Sequence, residues 1–160
     1  MKWKWTPRLM RWGLRLFPPY VGAGIKVTHI GNDWLAADVV MNLRWYNRNA
    51  VGTHFGGNLY SMVDPHVMLL LMNALGDDYI VWDKAAEIDF KYPGRGRVHC
   101  NVRVRPEELE DIREQTRDGN AYLPTFHLTI FDESKRIIAK VKKVLYVRRR
   151  TPEPGSDPSN

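Results

Sequence analysis

Residues 49 to 64 read NAVGTHFGGNLYSMVD, which sets a paired glycine ahead of an apolar run and puts a carboxylate, Asp64, inside that run just before Pro65. A charge in a buried segment is costly unless it is paired or meets solvent in a cavity. Pro65 removes the amide that would have bonded the Ser61 carbonyl and should bend a helix there, so Asp64 stands where a cavity is expected. Gly56 and Gly57 let another group approach the backbone closely, and the free amides of a helix N-terminus attract an anion or a developing oxyanion. A carboxylate and such amides make a minimal acyl-transfer site: the amides polarise a carbonyl, and the carboxylate attacks it or activates water. On one chain, two helical turns hold these groups roughly 10 Å apart. A second subunit would close that gap.

The remaining polar candidates are weaker. Lys84 falls on the apolar parity of its strand, where pairing with Asp83 or Glu87 would be structural and pairing with Asp64 functional; the structural pairing is favoured. His66 lies two residues beyond Asp64 and points to the opposite helix side, toward packing or a subunit interface. Arg95, Arg97 and the arginines at 148 to 150 sit at strand ends, as a solvated rim or as ligands for the phosphates of coenzyme A. Asp64, His54 and His66 match no common zinc spacing, so no metal is expected.

Elements that would position these residues follow from the pattern. Thr6 and Pro7 start a basic amphipathic helix that runs to Phe17, with Trp5, Leu9, Trp12 and Leu16 on one stripe and Lys4, Arg8, Arg11 and Arg15 on the next. The apolar stripe is expected to dock on the chain's own domain rather than on an anionic membrane, and Pro18 and Pro19 stop the helix. GIKVTHI and WLAADVVMNLRW form a hairpin across GND, and one buried helix spans about Gly57 to Leu75. YIVWDKAAEIDFKY alternates with Ile80, Trp82, Ala86, Ile88 and Phe90 on one face, and PGRG turns the chain into RVHCNVRVR. PEELEDIREQ gives a short exposed helix, and AYLPTFHLTIFD and RIIAKVKKVLYVRR a second hairpin, with Pro124 on an edge or at a bulge. The fold class is therefore α+β, a long central helix wrapped by a curved antiparallel sheet of about six strands. Residues 1–19 are the N-terminal helix, 20–149 the main domain and 150–160 a disordered tail.

The bulk numbers narrow the classes. With 160 residues, 44% hydrophobic and 26% charged, the chain fits one soluble domain with a real core. The single cysteine, Cys100, excludes an internal disulfide and reads as a buried strand residue, and no stretch reaches the ~18 apolar residues of a membrane span. A cytoplasmic location is expected by default. The net charge of +6 is spread along the chain without a base-reading motif, so neither nucleic acid nor membrane is expected as a partner.

The segment from Asn49 to Asp64, with AAEIDFKYPGRG downstream, resembles the hotdog-fold thioesterases of the phenylacetyl-CoA thioesterase type. Residues 49 to 96 are more similar still to a bacterial hotdog subfamily known only as a domain of unknown function. The resemblance implies a dimer, or a dimer of dimers, with acyl-CoA in a tunnel at the interface. It implies Asp64 as nucleophile or general base, the amides near Gly57 and Asn58 of the other subunit as the oxyanion hole, and Asn49 beside the attacking water. In that family a histidine directly precedes the glycine pair, whereas here Phe55 holds the position and His54 is displaced by one residue. Either His54 turns into the catalytic site in an altered loop, or Phe55, with Gly56, lines the acyl pocket. The expected function is acyl-CoA thioester hydrolysis with no cofactor beyond the coenzyme A of the substrate; the alternative is a non-catalytic acyl-CoA or lipid-binding module.

Overall fold

The computed structural model describes residues 5–150. Lys4 and residues 151–160, which hold all but the first position of the expected disordered tail, lie outside the described residues.

The chain opens with helix α1 (Pro7–Leu16), capped by the Thr6 hydroxyl, which accepts from the Leu9 amide at 3.2 Å. The two prolines do stop α1, but they also begin a second helix that the sequence pattern did not announce, α2 (Pro18–Ala23), closed by Gly24 in the left-handed region at φ 72°. The docking face of α1 is the reverse of the one expected. Met10 is buried, Leu14 packs on the core and the Arg11 guanidinium donates to the Thr28 carbonyl, while Leu9, Trp12 and Leu16 face solvent.

Strands β1 (Ile25–Ile30) and β2 (Ala36–Asn42) form the expected hairpin. The apolar run is two helices, α3 (Gly56–Ser61) and α4 (His66–Leu75), because the ladder breaks over Met62 to Pro65 where the proline has no amide to give. Strands β3 (Tyr79–Phe90) and β4 (Arg97–Arg103), helix α5 (Pro106–Gln115), and strands β5 (Ala121–Tyr122), β6 (Thr125–Asp132) and β7 (Ile137–Arg149) complete the chain. Pro124 splits β5 from β6, although both pair with β7 in one continuous register. α5 is less exposed than its composition suggests, since Leu109 and Ile112 are buried.

All pairings are antiparallel, in the order β1-β2-β4-β6-β7-β3 with β5 also on β7. The Pro93–Gly96 turn is therefore a crossover rather than a hairpin: it carries the chain from the edge strand β3 to β4 in the interior of the sheet. Inward residues of the central strands, among them Val39, Met41, Val98, Cys100, Ile130, Val141 and Leu145, form the core with Met62, Val63, Val67, Leu70 and Leu71 of the helical segment. Burial pushes the Cys100 thiol up to about 12, so this cysteine is an inert packing group.

One irregularity shapes the site. A β-bulge between Asp83 and Ala85 makes Lys84 the extra residue of β3, so Val81 and Asp83 share the inner face with Ala86, Ile88 and Phe90. Trp82, expected on that inner face, points outward and stacks on Tyr146 at 4.0 Å.

Candidate functional site

Asp64 occupies the break between α3 and α4, where its amide bonds back to the Tyr60 carbonyl at 3.0 Å. Its side chain is 41% exposed and meets Lys143 Nζ at 2.9 Å. Lys143 is fully buried on the inner face of β7 and donates to the Asp64 carbonyl oxygen at 2.5 Å as well. Its Nζ also lies 2.8 Å from Asp83 Oδ1, an ion pair whose angles are not those of a hydrogen bond, and 5.6 Å from the centre of the Tyr60 ring. One buried cation thus serves two half-open carboxylates. Burial opposes ionisation of Asp64, but the Tyr60 hydroxyl, which donates to the carboxylate, and the Lys143 ammonium outweigh it and hold Asp64 below the usual carboxylate range. For Asp83 burial wins: with the negative Asp64 nearby adding to it, its pKa is raised despite Lys143.

The first amides of α3, at Gly56 and Gly57, precede any intrahelical acceptor. Asn58 does not join them, because its amide donates to the Phe55 carbonyl at 3.0 Å. Both glycines are crowded by aromatic rings: a Cβ at Gly56 would sit 3.0 Å from Phe90, and one at Gly57 2.5 Å from Phe55. Asn49 spends its side chain on its own loop, accepting from the Val51 and Thr53 amides and donating to the Thr53 hydroxyl and the His54 carbonyl. Asn49→Ala is accordingly expected to destabilise the protein by about 2 kcal/mol, read from urea unfolding, because four loop bonds go at once. His54 is buried with Nε2 2.9 Å from the Gly96 carbonyl and Nδ1 without a partner, and burial lowers its pKa. His54, Asn49, Gly56 and Phe90 border a cleft with Tyr92 and Gly94, to which Asp64 does not contribute.

Of the predicted set, then, Phe55, Gly56 and Gly57 gather at the start of α3, where Phe90 of β3 joins them, and Asp64 stands at its far end. Lys84 is not core-facing; it is the exposed bulge residue, and Lys143 fills the role considered for it. Arg95 is exposed within the crossover turn, and Arg97 faces away from the helices on β4 in a cleft with His99 and Asn101. Two residues escaped the sequence reading. Between Ala139 and Val147, Lys143 is the one polar residue on a parity otherwise held by Ala139, Val141, Leu145 and Val147, and Tyr60 stands one helical turn before Asp64.

His66 belongs to packing. It is buried, its Nε2 lies 3.0 Å from the Tyr20 hydroxyl, and burial lowers its pKa to about 4. A folded-state pKa depressed from 6.5 means that the unfolded chain takes up this proton first, so stability present above about 6.5 is lost as pH falls toward about 4. Urea midpoints measured across that window should decline for the wild type and flatten for His66→Gln.

Residues 6–147 match the family model described as "Domain of unknown function (DUF4442)". A search of curated protein sequences returns no match. Among solved structures, the chain is similar to a Pseudomonas aeruginosa protein described as a "Probable Thioesterase", at 16% identity and a TM-score of 0.78 over 89% of this chain and 95% of that one. It is similar also to a thioesterase from Haemophilus influenzae, at 12% identity and a TM-score of 0.67 over 96% and 98% of the two chains. A third is the PaaI protein of the E. coli phenylacetic acid degradation operon, at 14% identity and a TM-score of 0.58 over 89% and 91%. With a helical segment wrapped by a curved antiparallel sheet and a family model matched over nearly its whole described length, this chain has the hotdog fold and belongs to the DUF4442 family.

Proposed function

We propose that the protein is a thioester hydrolase acting on acyl-CoA, with Asp64 as the base or nucleophile. The observation that carries this reading is a carboxylate kept ionised at a helix break, half-open to solvent, and next to an edge strand whose inner face is covered at Val81 but open at Ala86 and Phe90. Ala86 and Phe90 of that inner face are exposed, and β3 leaves one full side of its ladder unpaired over 12 residues. An unpaired edge of this length is a template for pairing with another chain. A second copy joined through β3 would cover the groove and bring its own Gly56 and Gly57 amides toward Asp64, forming a homodimer with two sites.

In the proposed reaction Asp64 removes a proton from water as the water oxygen bonds to the thioester carbon. The carbonyl becomes an oxyanion held by the partner's main-chain donors, the carbon–sulfur bond then breaks, and the thiolate leaves with the proton returned from Asp64. Exposed arginines such as Arg95 and Arg97 would meet the phosphates of coenzyme A. This chemistry asks only for water, a carboxylate and amides.

A second reading, a non-catalytic acyl-CoA-binding module, draws on the Phe55 ring lying over Gly57 and on the Asn49 amide already engaged in its loop. Release of free thiol from a panel of acyl-CoAs separates the two. Turnover that depends on Asp64 supports hydrolysis, whereas binding of acyl-CoA without thiol release would transfer the case to the module.

A further inference from the structure

The outward stripe of α1 has no use in the hydrolase and no cover among the described residues. Leu9 is 42%, Trp12 51% and Leu16 76% exposed, and the apolar surface runs on through Phe17 and Val21 at the start of α2. α1 is pinned from the opposite side by Met10, Leu14 and the Arg11 bond to β1, so this stripe is held outward. Next to it run Arg8 and Arg15, both exposed, and the Arg15 guanidinium lies 5.1 Å from the Trp12 ring centre. No acidic residue occurs in α1 or α2. Beyond α2, Val21 and Arg15 share a cleft with Lys26 and Tyr46, and Tyr46 carries the 81% exposed Trp45 edge-on at 5.5 Å.

We infer that this face seats the protein on an anionic phospholipid bilayer. Tryptophan and leucine beside arginine, on a helix lying flat along its domain, match the interfacial region in chemistry: the apolar side chains enter the headgroup boundary and the guanidinium groups meet lipid phosphates and carboxylates. A second copy of the chain fits less well. An isologous contact would bring the arginines of two identical stripes together, and α1 sits on β1, at the opposite end of the sheet from the β3 edge proposed for pairing. The inference stands apart from the hydrolase reading, because its readout is lipid binding.

The test is co-flotation of the full-length protein with vesicles of phosphatidylcholine alone or of phosphatidylcholine with phosphatidylserine, at low and high salt. Wild type should float with the anionic vesicles and be released by salt. Trp12→Ser with Leu16→Ser should weaken binding by at least about tenfold, and Arg8→Gln or Arg15→Gln by about fivefold each. All four side chains are exposed, so the variants should fold; should the apolar pair fail to, the arginine pair carries the test alone. Failure of folded wild type to bind anionic vesicles would overturn the inference. So would undiminished binding by the variants, or dissociation of an oligomer on changing Trp12 and Leu16.

Discussion

Replacement of Asp64 by Asn should lower acyl-CoA hydrolysis by about 10²- to 10⁴-fold while leaving the fold in place, the range lost when a positioned acid–base group is removed. Asparagine keeps the shape of the side chain, and its carbonyl oxygen can still accept from Lys143. What it loses is the charge that takes the proton of water. Binding of acyl-CoA, measured by calorimetry at equilibrium, should change far less than kcat. A residual rate within a few-fold of wild type, in a protein melting at the wild-type temperature, would remove Asp64 from the mechanism.

The second large effect belongs to Lys143. Its ammonium is wholly buried between the Asp64 and Asp83 carboxylates, and its removal as Lys143→Met leaves two like charges facing each other with no counter-ion. Breaking a buried pair from one side costs about 3–5 kcal/mol, and the lower end applies here because both carboxylates keep partial contact with water. The sign of the pH dependence follows. With Lys143 gone, both carboxyls titrate higher in the folded state than in the unfolded chain, so the deficit is largest at neutral pH and shrinks as pH falls through their folded pKa values. Asp83→Asn added to Lys143→Met should return part of the lost stability, and denaturant midpoints of the four proteins in that cycle measure how much. Lys143 also withdraws proton affinity from Asp64, so the acid limb of the pH–rate profile should move to higher pH in the single variant.

The architecture was legible because it rests on strong local signals. Alternation set the strands, the Thr6–Pro7 pair and the proline at position 106 marked helix starts, and Pro65 inside an apolar run marked a distortion beside Asp64. Strand order was hidden: the Pro93–Gly96 turn looks like a hairpin turn, and only long-range pairing decides that β3 lies against β7. The orientation of α1 was hidden for a related reason. A stripe of Trp and Leu opposite a stripe of Met and Leu gives two apolar faces, and periodicity cannot say which one meets the core. At the site, Asp64 and the glycines stood out by being unlike their neighbours. Lys143 is unlike its neighbours too, but it lies 79 positions away, and the contact that gives it meaning exists only once the sheet has curved over the helices.

The bulge at Lys84 settles a question of alignment. If β3 ran straight, in the register set by Ile88, Lys84 would come inward opposite Leu145, next to the ammonium of Lys143, while Asp83 would turn out to water. Two enclosed cations with one anion between them is a worse arrangement than one cation with two anions that still touch solvent. The charge pattern therefore rejects the slipped strand, and the trio of Asp64, Lys143 and Asp83 also keeps this rim of the sheet from assembling one residue out of step.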